Sequence, residues 1–126
     1  MTRVLVVAYY FPPKGGAGTQ RFAKFCKYLP EHGIDPIVLS AGANLHNRNA
    51  PHDDPTLVSD SPVHVERVDD PEHASWRLRL QRRLRFFIDE DEWAVEAAQR
   101  AVALAQQQKP EAVVTTLSPY ACYRVG

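Results

Sequence analysis

Residues 4 to 8, Val-Leu-Val-Val-Ala, form an unbroken apolar run, and the segment directly after them restricts the fold more than any other feature. That segment is Tyr9-Tyr10-Phe11-Pro12-Pro13-Lys14-Gly15-Gly16-Ala17-Gly18, and a helical pattern begins at its end. A β-branched run without alternation suits a strand buried on both faces. A glycine-rich turn between such a strand and a helix places backbone N–H groups at a helix N-terminus, where anions bind.

The rest of the chain extends this start. The first strand is expected over Arg3 to Ala8. Thr19 is expected to cap a helix running to about His32, with Phe22, Phe25, Cys26 and Leu29 on its apolar face and Gly33 stopping it. Strand two is expected from Pro36 to Ser40, its proline at the strand start, where no ladder donor is missed. Ala41 to Pro62 reads as a long polar loop, and Val63 to Val68 as a short edge strand. Two helical patterns come next. In Ser75 to Ile88 the residues Trp76, Leu80, Leu84, Phe87 and Ile88 share one face, with Leu78 off it. In Asp91 to Gln108 the stripe is Trp93, Ala97, Ala101, Leu104 and Ala105. Ala112 to Thr116 is a fourth strand, and Leu117-Ser118-Pro119-Tyr120 turns away from it.

The order β-α-β-β-α-α-β, with right-handed crossovers, predicts an α/β fold with a parallel, doubly wound sheet in strand order 3-2-1-4. The switch point then lies between strands one and four, and ligands bind beyond the carboxyl ends of strands at such a point. The Tyr9–Gly18 and Leu117–Tyr120 loops come after these two strands and are expected to converge there. Strand four is expected to leave an open apolar edge with no helix over its face. That is a liability, and it suggests a fragment, or a partner that pairs or swaps at the edge.

Composition narrows the function. The 126 residues, 44% hydrophobic and 24% charged, suit one soluble domain. Zero net charge argues against a general nucleic-acid binder. Cys26 and Cys122 stand far apart and read as free thiols in a reducing compartment. No segment is long enough to span a bilayer, and the N-terminal run lacks a cleavage site, so a cytoplasmic location is expected.

Gly16-Ala17-Gly18-Thr19-Gln20-Arg21 approaches the dinucleotide fingerprint but departs from it. The third glycine is Arg21, the glycines come late, and strand two ends in Ser40 rather than in an acid for the ribose. No Gly-Lys-Ser/Thr makes it a Walker loop. An anion cradle at the helix start remains, with Lys14 and Arg21 adding charge, and is favoured over a loop whose glycines merely make the turn. Ser118-Pro119-Tyr120 is either a ligand-positioning turn or a strand end, and its place across from the glycine loop favours the first. Asp89-Glu90-Asp91 resembles an Asp-x-Asp metal motif, but it precedes a helix and is read as capping. The segment Trp76 to Ile88, with Arg77, Arg82, Arg83 and Arg85, suits either an anionic membrane surface or a helix packed on the sheet. Packing is preferred, because Trp76, Leu80 and Leu84 are also what a core needs. His32, His46, His52, His64 and His73 have no second ligand at metal spacing.

These residues carry a resemblance. VLVVAYYFPPKGGAGTQRFAKFCKYLPEHGIDPIVLS resembles the N-terminus of glycosyltransferase family 4 proteins of GT-B fold, in which a strand, Phe-Pro-Pro, a Gly-Gly-x-Gly loop, an Arg and a Lys-Tyr-Leu helix run in this order. DPTLVSDSPVHVERV is similar to the family's approach to strand three, and DEWAVEAAQRAVALAQQQKPEAVVTTLSPYACYRVG to its Trp-led helix, fourth strand and Ser-Pro turn. The resemblance implies a Rossmann-like, acceptor-side N-terminal domain, present here in part over residues 1–126, without the C-terminal donor domain. It implies a parent enzyme that moves a sugar from a nucleotide-sugar donor to an acceptor with retention, using no cofactor and no essential metal. The implied donor-phosphate loop is Lys14, Gly15, Gly16, Ala17, Gly18 and Arg21. The implied acceptor side is Tyr10, Ser118, Pro119 and Tyr120, although Pro119-Tyr120 stands where the family has Pro-Pro. The isolated chain is expected to be inactive. A stand-alone phospho-ligand module and a protein peripheral at the inner membrane face through its Arg-rich helix are the competing readings.

Overall fold

The apolar run lies at the centre of a four-stranded parallel sheet of order β3-β2-β1-β4. The computed structural model describes residues 1–42, 52–57, 63–71, 75–84, 91–116 and 121–126, and of Asp91 the backbone alone. The strands are β1 Thr2–Val7, β2 Ile34–Ala41, β3 His64–Val68 and β4 Ala112–Thr115. The expected α/β class and strand order are those observed. In β1, Leu5 and Val7 face one side with Ile37 and Leu39 of β2, whereas Val4 and Val6 face the other with Val38. Both faces are buried, which is why the run does not alternate.

Helix α1, Ala17–Tyr28, crosses from β1 to β2 and ends in a 3-10 turn, Leu29–His32, closed by Gly33. Its cap is Gly16, not Thr19. Gly16 has φ 96° and ψ 156°, a region that a side chain strongly disfavours, and Thr19 is buried within the first turn. The inner face of α1 is Ala23 and Cys26, with Phe22 half-buried. Phe25, expected inside, is exposed. Strand β2 starts two residues before Pro36. Ala41 N–H donates to Tyr9 O, and Leu39 O accepts from Ala8 N–H, so odd-numbered residues of β2 point to β1. Pro36 therefore points to the other side, where β3 pairing begins only at Ile37, and no ladder donor is lost.

The second layer is built on Trp93. Helix α3, Asp91–Gln108, presents Trp93, Ala94, Ala97, Ala101 and Leu104 to the β1/β2 face. Trp93 donates its indole N–H to Val68 O at 2.9 Å and meets the Tyr9 ring edge-on at 4.9 Å. Glu66 of β3 bonds Arg100 of α3 at 3.0 Å, and this contact holds the Glu66 carboxyl below its ordinary range. A short helix absent from the expected pattern, α4 Ala121–Val125, brings Ala121 and Cys122 into the same cluster. A helix thus comes after β4, although Val113 remains exposed and β4 is an edge.

Helix α2, Trp76–Leu84, is turned opposite to expectation. Its buried residues are Leu78 and Arg82, while Trp76, Leu80 and Leu84 are 64%, 48% and 78% exposed. Ser75 caps it, its hydroxyl accepting the Leu78 N–H at 3.3 Å. Phe87, Ile88 and Arg85, expected on this helix, lie outside the described residues, as do Asp89 and Glu90. Among the described residues no helix is long and apolar enough to cross a membrane.

Candidate functional site at the carboxyl edge of the sheet

The chain leaves β1 into a loop whose backbone is tied down at nearly every step. Tyr9 O accepts from Ala41 N–H and from the Ser40 hydroxyl, both at 3.1 Å, and Tyr9 N–H points at the Cys122 sulfur at 3.2 Å. Ser40, where a dinucleotide site would hold an acid, thus serves the loop. Thr116 N–H donates to Val7 O at 3.0 Å, which brings the ends of β1 and β4 side by side. The expected adjacency of the loops after these strands holds as far as residue 116. Ser118, Pro119 and Tyr120 lie outside the described residues.

The loop then rests on residues 52–57. Gly15 N–H donates to His52 O at 2.8 Å, Asp54 N–H donates to Pro13 O at 2.7 Å, and Lys14 Nζ pairs with Asp53 at 2.8 Å. Asp54 in turn accepts from the Thr56 N–H and hydroxyl. Arg67, at the end of β3, donates to Ala41 O at 3.1 Å and to Pro12 O. Burial lowers the Arg67 guanidinium from its ordinary value, but an arginine stays charged in a protein. The Pro12-Pro13 bond is cis.

The residues expected to form a donor-phosphate loop fall into two groups. Lys14 is 8% exposed with its charge met by Asp53, and the Gly15 amide is already engaged. A side chain on Gly15 would meet His52 O at 2.8 Å, so glycine here serves the close approach of two backbones. These two residues build the loop. Gly16, Ala17, Gly18 and Arg21 are exposed at the head of α1. The first bond of the helix runs from Gln20 N–H to Gly16 O at 3.0 Å, so the N–H groups of Ala17, Gly18 and Thr19 precede the ladder and sit at the positive end of the dipole. Chemically, this is an arrangement that can accept phosphate oxygens. Tyr10 is half-buried, its ring edge-on to Tyr9 at 4.8 Å.

Sequence reasoning missed Asp53, Arg67 and Asp70. Asp70 is 1% exposed and accepts from the Tyr9 hydroxyl at 2.6 Å and from Arg82 at 3.0 Å; Arg82 also reaches Glu92 at 3.1 Å. None belongs to a local motif. Each is a charged residue in or next to a strand or loop, and its partner is remote in sequence. Arg82, expected on an outward arginine face whether that face meets solvent or a membrane, instead points inward. Comparisons with protein-family models, with curated proteins and with solved structures find no match for this chain.

Proposed function

We propose that this chain is the N-terminal, acceptor-side part of a cytoplasmic retaining glycosyltransferase of GT-B fold, in which the glycine loop meets the diphosphate of a nucleotide-sugar donor. One observation carries the reading. An exposed Gly16-Ala17-Gly18 helix start sits at the carboxyl end of the central strand β1, beside the end of β4, in a 3-2-1-4 parallel sheet. That is the switch point at which such sheets bind ligands. The amides there would stabilise charge on the leaving diphosphate, a role for preorganised donors, with Arg21 in support. Gly15, and Lys14 with its Asp53 partner, hold the loop in shape. Tyr10, with Ser118, Pro119 and Tyr120, would line the acceptor side.

The test begins with the intact mass of the native gene product. The second step is turnover of nucleotide sugars by that product, with and without Gly18→Ala. A methyl group at Gly18 meets nothing within 4 Å, so the variant folds, and alanine raises helix propensity by about 1 kcal/mol. The expected result is normal or increased stability with donor turnover reduced at least ~10-fold, because the methyl group stands where a phosphate must approach. Unchanged turnover would remove the loop from the mechanism. A native product no larger than this chain would remove the enzyme reading. It would leave the second one, a stand-alone phosphate-binding module, which is favoured by a loop held in shape by contacts within this chain.

A further inference from the structure

We propose that the outward face of α2 is a docking surface for an anionic membrane. The helix is fixed from behind. Arg82 reaches Asp70 and Glu92, and Leu78 is buried beside it. At ~100° per residue, Leu78 and Arg82 centre on one side of the helix, and Trp76, Leu80 and Leu84 centre on a side about 180° away. The exposed apolar stripe is therefore not a core face left uncovered. It is a second face, held away from the body by the ion pairs of the first.

Its chemistry suits a lipid headgroup layer. Arg79 and Arg83 flank the stripe on one side and Arg77 on the other, all exposed. Arg77 lies over the Trp76 ring at 5.6 Å, an arrangement that pairs an apolar ring with a charge that can reach phosphate. Residues 75 to 88 contain no acid at all, in a chain whose net charge is zero. Apolar residues between arginines, with an indole among them, match an interfacial helix on an anionic leaflet. A second copy of this chain fits poorly, since stripe against stripe would bring arginines together. Among the described residues the stripe is three side chains, which fall well short of the roughly 800 Å² per partner of a stable protein interface. This surface is independent of the sugar-transfer reading.

The experiment mixes the protein with vesicles of phosphatidylcholine, with and without phosphatidylglycerol, and reads sedimentation and tryptophan emission. Binding is expected only with phosphatidylglycerol present, weakening as salt is added. Emission should shift to the blue through Trp76, since Trp93 is fully buried from the start. Trp76→Phe should keep sedimentation and lose the shift. Leu80→Gln with Leu84→Gln should abolish binding. Neutralising Arg77, Arg79 and Arg83 to Gln should lower affinity about fivefold per arginine, on the order of 100-fold for the three. Absence of binding to either vesicle would overturn the proposal. So would salt-insensitive binding of the unaltered protein, or binding indifferent to both sets of substitutions. Dimerisation lost in Leu80→Gln/Leu84→Gln would assign the stripe to a second copy instead.

Discussion

Cys26 shows how one buried atom ties the fold to pH. It lies on the inner face of α1 against Val4, Val6, Ala8, Phe11 and Val38, and burial pushes its thiol from 9.0 up to about 11. The cause is desolvation, which disfavours the thiolate. The native state therefore holds the proton more tightly than the unfolded chain. The associated stability is fully present below 9.0 and is lost as the pH rises toward 11. Two pKa units correspond to at most about 2–3 kcal/mol. Other groups contribute alike to the unaltered protein and to a Cys26 variant, so the expected result is a difference. Urea unfolding across that range should show the unaltered protein losing ~2 kcal/mol more than Cys26→Ala. Equal losses would mean that the thiol ionises without unfolding. The same burial predicts that alkylating reagents reach Cys26 only after denaturant is added.

At the scale of elements, α2 marks the boundary between what periodicity reveals and what it conceals. The spacing of Trp76, Leu80 and Leu84 makes an apolar stripe unmistakable, but a pattern of this kind does not say which face meets the body. Here the inward face is carried by Arg82, and its partners Asp70 and Glu92 come from the end of β3 and from α3. In β1 and α3 the pattern found the inward face, with Ala94 added and Ala105 only half-buried on α3, because apolar side chains make most of those contacts. Likewise the glycine loop and its helix were legible, whereas the Lys14–Asp53 pair and the Gly15–His52 bond, which set its shape, join segments with no shared local signal. The docking of α2 is testable. Arg82→Met should cost about 3–5 kcal/mol in urea unfolding, since it leaves the Asp70 carboxylate buried without the guanidinium. Asp70→Asn should change that cost by more than 1 kcal/mol when combined with it, a coupling that groups outside one network do not show. Simple additivity would mean that Arg82 holds the helix by packing alone.

At the scale of the whole molecule, the sheet is uneven, and β1 records the unevenness residue by residue. Ala8 N–H donates to Leu39 O, and Thr2 N–H to Gly33 O, so even-numbered amides of β1 face β2. Val7 O accepts from Thr116, and Arg3 O from Glu111, so odd-numbered residues face β4. Strand β2 is eight residues long, flanked on both sides, and buried from Pro36 onward. Strand β4 is four residues long, lies at an edge and is partly exposed. Local opening is cheapest where few apolar contacts hold an edge. Hydrogen exchange measured residue by residue should therefore alternate along the central strand. Val4, Val6 and Ala8 should exchange slowly, near the rate of global unfolding, and Leu5 and Val7 measurably faster, in step with the opening of β4. Uniform protection along β1 would mean that β4 and β1 open together as one unit. Alternation that vanishes when another chain or domain is added would identify the β4 edge as the place where it binds.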